Sequence, residues 1–225
     1  MLSLVFSLVM CSSVSASSHA LGFSSSQSRT ASVRIVNAIP DVRDAYFQLG
    51  DLGMFSSPYG NRTNYMTVNA GNVDAYLCAS NGERLTNAVP VWIQANFPHT
   101  VIFTGFPMST GSFHPIVLRD TTAGKPAMST SQVIFINALS DKIPVKFKLE
   151  EDAQKREHTL NFGSATGLIG YGPKKEYTLV LLDTAGKSLF STKFTPQPGT
   201  RYSAIAMGSQ GFAGNRAPRV FVYTF

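Results

Sequence analysis

The residues best suited to form a functional site are two copies of an Asn-Ala-x-x-Asp motif. The first runs from Asn37 to Asp41 and the second from Asn137 to Asp141. Asn and Asp side chains also hydrogen-bond the backbone of turns, and both motifs follow a short run of apolar residues. We therefore expect both motifs to stabilise the turn at the end of a strand. A second pair, aromatic-Gly-x-x-Thr at Tyr59–Thr63 and Phe162–Thr166, predicts a bend in a strand with one buried ring.

The side chains that could support nucleophilic or metal chemistry are poorly arranged for it. Ser112 and His114 are close in sequence, but a hydrolase would also need an acid and an oxyanion site. The four histidines form no closely spaced ligand pair. Cys78 follows Tyr76 and Leu77 in a strand-like run and is expected to be a buried thiol. We predict no metal, no cofactor and no enzymatic activity, and keep an esterase or transferase site assembled between two domains as an alternative.

The positive charge of the chain is concentrated in its second half. The formal net charge is +6, and residues 126–225 hold 12 basic and 7 acidic residues. Lys146 and Lys148 alternate with apolar residues and so share the exposed face of one strand. A solvated face or a surface for an anionic polysaccharide or a partner protein explains this pattern; few aromatic residues lie between the lysines, so no nucleic acid is expected. The candidate surface consists of Lys146, Lys148, Lys174, Lys175, Arg201, Arg216 and Arg219.

An internal repeat of about 100 residues organises the chain. Residues 32–41 return as residues 132–141, with Asn, Ala and Asp at matching positions. The correspondence continues at slightly larger offsets and pairs Pro115 with Pro218 near the end of each copy. The changes in offset fall where loops absorb insertions. We therefore predict two domains, at 31–122 and 131–225, with a linker at 123–130.

The composition predicts an all-β fold. Hydrophobic residues make up 44% of the chain and charged residues 14%, and Gly and Pro punctuate short strand-like runs. Asn81-Gly82 is a typical hairpin turn. Val33 and Ile35 alternate with Val36 on the opposite face, which predicts a central strand between two packed layers. Six or seven strands in each repeat favour two tandem β-sandwich domains.

The first 28 residues contain no charge and include an apolar run, Leu2–Met10. This run is too short to span a membrane, and its length is typical of a signal peptide. We predict a signal peptide over residues 1–20 and a periplasmic location, since small residues follow the run. Lipidation at Cys11 is a weaker alternative because Met10 is bulky, and a Ser-rich tail on a cytosolic protein is another.

The sequence resembles the alginate O-acetylation accessory family of exported bacterial proteins, the AlgF-like proteins. The resemblance rests on the export segment, the repeats, and the stretches Gln132–Lys142, Gly172–Lys174 and Ala217–Val222. It implies a non-enzymatic adaptor that helps acetyltransferase components modify an exopolysaccharide. The same segments, with Val33–Asp41, also resemble bacterial surface β-sandwich repeats of unknown function. That resemblance implies a surface, adhesion or scaffold module instead.

Overall fold

The computed structural model of the protein describes residues 29–42, 44–120, 124, 126–172 and 176–224. The predicted signal peptide therefore lies outside the described residues. Each repeat folds into eight strands, more than the six or seven expected, because the segments around the bends also pair as short strands. The first repeat contains β1 (Thr30–Asn37), β2 (Asp44–Leu49), β3 (Phe55–Pro58), β4 (Met66–Asn69), β5 (Gly71–Cys78), β6 (Val89–Ile93), β7 (Pro98–Phe106) and β8 (Ser112–Arg119).

The second repeat has the same order of elements. Its strands are β9 (Ser131–Asn137), β10 (Val145–Leu149), β11 (Glu157–Leu160), β12 (Ile169–Tyr171), β13 (Tyr177–Leu182), β14 (Ser188–Phe194), β15 (Arg201–Met207) and β16 (Arg219–Thr224). A short 3₁₀ turn, Gly214–Arg216, lies between β15 and β16. Among the described residues, no helix has the length and apolar character needed to cross a membrane.

The strands form four four-stranded sheets. Inner sheet 1 has the order β4-β1-β7-β8, and outer sheet 1 has the order β3-β2-β5-β6. Inner sheet 2 (β12-β9-β15-β16) and outer sheet 2 (β11-β10-β13-β14) repeat this arrangement. In both inner sheets the first strand of the repeat runs parallel to the seventh, and the remaining neighbours are antiparallel. The prediction of an all-β fold with two repeat-related β-sandwiches is confirmed.

Each sandwich has its own apolar core between its outer and inner sheets. Phe47 and Phe103 stack at the centre of the first core, with ring centroids 4.5 Å apart. Phe135 and Phe147 lie at the repeat-related place in the second core, with centroids 5.0 Å apart. The alternation of side chains along the strands directs these rings inward.

A third apolar core joins the two sandwiches. The two inner sheets pack against each other through buried Val36 and Ile102 on one side and Ile136, Ile205 and Met207 on the other. The sheets therefore stack in four layers, and the inner strands are covered on both faces, as the apolar residues on both faces of β1 predicted. The hydroxyl of Thr104, which donates to the carbonyl of Ala138 at 2.8 Å, adds a buried hydrogen bond across this interface.

The repeat correspondence needs one correction. The sequence pairs Pro115 with Pro218, but the strand register sets Pro115 opposite Phe103 and Val220 opposite Ala206. Pro115 therefore corresponds to Val220. The connection between β15 and β16 is longer than that between β7 and β8 and includes the 3₁₀ turn, so the repeat offset changes within this hairpin.

Candidate functional site between the two inner sheets

The Asn-Ala-x-x-Asp motifs are structural in both repeats. The Asn37 amide donates to the carbonyl of Ser57 at 2.7 Å and accepts from the backbone N–H of Ile39 at 3.0 Å. Asn137 repeats this geometry, donating to the carbonyls of Ile143 (2.8 Å) and Leu160 (3.1 Å) and accepting from Leu139 N–H.

The acids of the motifs also bind nearby backbone. Asp41 accepts from the N–H groups of Met108 and Ser109, and Asp141 accepts from Gln210 N–H at 2.7 Å. Each motif thus joins the turn after the first strand of a repeat to the connection that follows the seventh. These side chains are occupied in holding the fold.

The aromatic-Gly-x-x-Thr motifs form the expected bend, but their rings are not in the sandwich cores. Gly60 has a φ of 75°, in the left-handed region, and its N–H donates to Asn37 O at 2.8 Å. The ring of Tyr59 instead packs edge-on against Phe221 of the other repeat, with centroids 5.9 Å apart. Phe162 packs in the same way against His114. The rings therefore contribute to the interface between the sandwiches.

A buried polar network that the sequence did not indicate crosses inner sheet 1. The Nε of Arg34 donates to Oγ1 of Thr100 at 2.8 Å and lies 3.4 Å from Oδ2 of Asp120. The Thr100 hydroxyl donates to Asp120 at 2.8 Å, and the Tyr65 hydroxyl donates to the same carboxylate at 2.6 Å. Burial, reinforced by the hydrogen bond to Asp120, raises the pKa of Tyr65 above its ordinary value. The feature of the sequence that could have revealed this network is the single arginine, Arg34, within the apolar strand β1.

The second repeat provides an internal comparison for this network. The register sets Arg34 beside Thr100 in inner sheet 1 and Ile134 beside Ser203 in inner sheet 2, so Ile134 is the counterpart of Arg34. Inner sheet 2 thus has the same strand order as inner sheet 1, although an isoleucine stands at the position of the arginine. A buried ion pair costs desolvation free energy that an apolar pair avoids, and the fold does not require it here. The network is therefore a candidate for function.

A groove lies between the inner sheets next to this network. Its volume is about 290 Å³, and its mouth is open to solvent. We call it the interdomain groove. Its lining includes Leu118 of β8, Asp120 directly after β8, Ile134 and Ile136 of β9, and Leu168 directly before β12. Apolar surface makes up most of the walls, and Thr100, Arg119, Asp120 and Ser203 are the polar residues of the lining.

The groove is open because the two halves of the interface differ. In the half of the interface away from the groove, Arg62 of the first repeat reaches across to the second. Its guanidinium lies 5.5 Å from the ring centroid of Tyr223 and donates to the carbonyl of Thr224. Tyr223 donates in turn to Gly60 O at 2.7 Å. By strand register, Ala165 and Leu118 are the counterparts of Arg62 and Tyr223. Shorter side chains at these two positions leave the space that forms the groove.

The described residues of the predicted basic surface do not form one patch. Lys146 and Lys148 lie together on the outer face of outer sheet 2, and the Lys148 Nζ is 4.0 Å from Glu157. Lys174 and Lys175 lie outside the described residues. Polymer binding by these residues stays a prediction.

The predicted arginines lie apart from the lysine pair. Arg201 begins β15 and donates to Gln132 at 2.8 Å, whereas Arg219 pairs with Met207 at the other end of β15, roughly 20 Å away. Arg219 binds Asn215 and the carbonyl of Gly214, the latter within the same turn as Arg216. Arg201 and Arg219 therefore contribute to local structure, and polymer binding by the three arginines stays a prediction.

His99 and Cys78 are buried, and His114 and His158 are half-buried. His114 packs on Phe162 in the interface, and burial, together with Lys142, lowers its pKa. The neighbouring Ser112 hydroxyl accepts from Phe106 N–H at 3.0 Å. Burial raises the pKa of the Cys78 thiol, which favours its neutral form. Within the described ranges, no three His, Cys, Asp or Glu side chains gather as metal ligands would.

Comparison with known proteins relates the chain to one family. The profile of the domain of unknown function DUF4397 matches residues 31–148, which is more than half of the chain and covers the first sandwich and the first two strands of the second. A comparison with curated proteins gave no match.

Among solved structures, a leucine-rich repeat protein from Bacteroides thetaiotaomicron VPI-5482 is similar at 11% identity over 78% of this chain, with a TM-score of 0.19. The chain spans 25% of the length of that protein. At this TM-score the likeness says nothing about the fold or function of the chain.

Proposed function

The chain belongs to the DUF4397 family, and from that starting point we propose that it is an exported, non-enzymatic adaptor that supports O-acetylation of an exopolysaccharide such as alginate. In this role it acts in the periplasm and brings partner acetyltransferase components and the polymer together. An adaptor needs separate binding surfaces held at a fixed distance from each other. The support for the proposal comes from how the two sandwiches are joined.

The third apolar core is the observation that carries the proposal. Two domains joined only by a linker move independently unless their interface is large and hydrophobic. Here Val36, Ile102, Ile136, Ile205 and Met207 are fully or almost fully buried between the inner sheets. The stack therefore acts as one rigid body, and its two outer faces point in opposite directions. Sheets packed about 10 Å apart separate these faces by roughly 30 Å.

The two ends of this rigid body differ in chemistry. Outer sheet 2 has Lys146 and Lys148 on β10 and Lys193 on β14. Lys148 lies 4.0 Å from Glu157 and Lys193 lies 3.2 Å from Glu176, so Lys146 is the lysine of this face without an ion pair among the described residues. Outer sheet 1 has Tyr46 and Gln48 at the positions that correspond to the two lysines. A lysine-bearing face favours an anionic polymer more than the outer face of outer sheet 1, where β5 exposes Asp74. A body with two unlike faces suits a protein that brings two different partners together.

The interdomain groove is the proposed contact for the partner protein. In the other half of the interface, the ring of Tyr223 occupies the corresponding space and its hydroxyl finds an acceptor. The groove therefore suits a protruding aromatic side chain of a partner, with its polar end near the Asp120 carboxylate. Aromatic side chains are the usual anchors of protein interfaces.

Deleting the gene tests the proposed function. We expect the exopolysaccharide to lose its acetyl groups while its yield is unchanged, measured by the acetyl signal in the NMR spectrum of the purified polymer. Unchanged acetylation would contradict the proposal. In that case, release of the protein from whole cells by protease would favour the alternative of a surface or adhesion module.

A groove-filling variant refines this test. Leu118→Tyr copies Tyr223 of the second repeat, so the side chain should fill the groove without opening the fold. We expect this variant to remain folded but to lose co-purification with the acetyltransferase component. Leu85→Ala, which truncates an exposed side chain on another face, is the matched control and should co-purify normally.

A further inference from the structure

The only tryptophan of the chain is unusually exposed. Trp92 leaves 63% of its surface accessible to solvent, on the outward side of the edge strand β6. Its neighbours Val91 and Ile93 point into the first core, so the strand register forces the indole outward. Tryptophan is usually largely buried, and an exposed ring of this size is typical of a binding surface.

Trp92 forms one wall of a second cleft. This cleft, of about 320 Å³, is lined by Arg29, Gly71, Trp92, Gln94 and Asn96 together with neighbouring backbone. It lies at the end of the first sandwich where β1 and β5 begin and β6 ends. Gly71, with a φ of 117° and open space where a Cβ would point, keeps the floor beside the indole clear.

Backbone hydrogen bonds hold the cleft in shape. The N–H of Ala70 donates to Arg29 O at 2.8 Å, and the N–H of Asn96 donates to Thr30 O at 2.9 Å. Asn96 has a φ of 65°, a left-handed conformation that directs the chain around this corner. The segment that carries Arg29 is therefore tied to both sides of the cleft.

The polar side chains of the cleft are available for a ligand. Arg29, Gln94 and Asn96 are exposed, and within the described part of the chain their side chains form no hydrogen bond or ion pair. Arg29 is the charged member of the lining, so the cleft favours an anion. A guanidinium group can bind a carboxylate through two parallel hydrogen bonds.

A shallow extension continues the cleft along inner sheet 1. It has a volume of about 230 Å³ and shares Asn96 with the cleft beside Trp92. Its lining includes the hydroxyl-bearing residues Thr30, Ser32 and Thr67. Ser32 and Thr67 are register partners on neighbouring strands, and both are exposed. The result is a continuous track with two aromatic residues, Trp92 and Phe97, and with Arg29 as the charged residue of its lining. The guanidinium of Arg119 lies over the Phe97 ring, 3.3 Å from its centroid.

We propose that this track, from Trp92 past Arg29 and Asn96 to Thr67, binds an acidic polysaccharide built of uronic acids. The indole covers the apolar C–H face of one sugar ring, Arg29 binds a carboxylate, and the amides and hydroxyls bind sugar hydroxyls. A neutral glycan offers no partner for Arg29, and a nucleic acid would need several cations. The site deepens the proposed function by giving the polymer a contact on the first sandwich, and it depends on that function only for its biological setting.

Intrinsic fluorescence provides the test, because Trp92 is the only indole. Purified protein is titrated with alginate oligomers, and with dextran as a neutral probe. We expect alginate to change the emission of Trp92 and dextran to leave it unchanged. Isothermal titration calorimetry then measures the affinity of each variant for alginate. We expect Trp92→Ala and Arg29→Gln each to weaken alginate binding by about tenfold, in the range of an interface anchor residue.

Two control variants make the result decisive. Met108→Ala removes an equally exposed apolar side chain elsewhere and should bind alginate normally. Lys187→Gln removes one exposed cation from the turn between β13 and β14, the same change of charge as Arg29→Gln, and should also bind normally. Normal binding by Trp92→Ala, or loss of binding only in the lysine variant, would overturn the proposed site. The assay uses purified protein, so its failure is distinguishable from unchanged acetylation in the deletion strain.

Discussion

The Nε of Arg34 lies 3.4 Å from Oδ2 of Asp120, and both side chains are almost completely buried. The Thr100 hydroxyl bridges them, and Tyr65 donates to the same carboxylate. In the second repeat, Ile134 takes the position of Arg34, and the sheet around it has the same strand order. This difference between the repeats suggests that the ion pair is retained for the groove beside it.

The ion pair should show strong coupling in a double-mutant cycle. We expect Arg34→Ile to lower the free energy of unfolding by about 3 kcal/mol, because it leaves a buried carboxylate without its cation. Arg34→Ile combined with Asp120→Asn should recover most of this loss, since Asn keeps polar contacts without the charge. Urea unfolding followed by circular dichroism measures the two single variants, Arg34→Ile and Asp120→Asn, and the double variant. Additive effects of the two substitutions would show that the pair is not coupled.

The buried asparagines should differ in their contribution to stability. Asn37→Ala removes two hydrogen bonds, those with Ser57 O and Ile39 N–H, whereas Asn137→Ala removes three. Each unsatisfied buried group costs about 1–3 kcal/mol, so Asn137→Ala should be the more destabilising by about 1 kcal/mol. Thermal unfolding measures which of the two variants has the lower melting temperature. Asn87→Ala, at an exposed position, serves as the control and should leave the melting temperature unchanged.

The third core should be separable from the two sandwich cores. Ile205 is fully buried between the inner sheets, so Ile205→Ala should cost about 2–5 kcal/mol. Ile205→Asp adds a buried charge and should separate the sandwiches while Phe47 and Phe147 keep their packing. Small-angle scattering would then report a larger radius of gyration, with the circular dichroism signal of strands preserved. An unchanged radius in a folded Ile205→Asp variant would contradict the rigid stack.

Stability should fall as the pH is lowered below about 6.5, the ordinary pKa of histidine. Burial lowers the pKa of His99, His114 and His158, so their folded-state values lie below those of the unfolded chain. The unfolded state then binds more protons in this window, and the stability present above pH 6.5 is lost as the pH falls toward the folded-state pKa. Melting temperatures measured between pH 5 and 8 give the slope of stability against pH. His114→Gln should reduce it, because one of the three groups no longer titrates.

Much of the fold could be predicted from local patterns. The repeated Asn-Ala-x-x-Asp motif revealed two copies, since the same backbone hydrogen bonds require the same side chains in each. The alternation of Val33, Ile35 and Val36 indicated a strand covered on both faces. Pro115 and Pro218 misled the correspondence because identical residues occurred by chance across a hairpin whose length had changed.

The candidate site was not predictable in the same way. Arg34 and Asp120 are far apart in sequence, and neither belongs to a motif. Their pairing depends on the order of strands in inner sheet 1, which sets β1 and β8 on either side of β7. Among the described residues of the predicted basic surface, Lys146, Arg201 and Arg219 share a charge but not a location, because charge composition carries no information about strand order.

The sequence by itself determined the repeat, the class of fold and the alternation of faces, since these follow from side-chain periodicity and short-range hydrogen bonding. Only the tertiary structure decided that the two sandwiches share a third core, and that this interface closes around Arg62 and Tyr223 in one half and stays open beside Ala165 and Leu118 in the other. The reason is physical: a groove is the space left between surfaces, and its shape depends on side chains that meet only after the chain has folded.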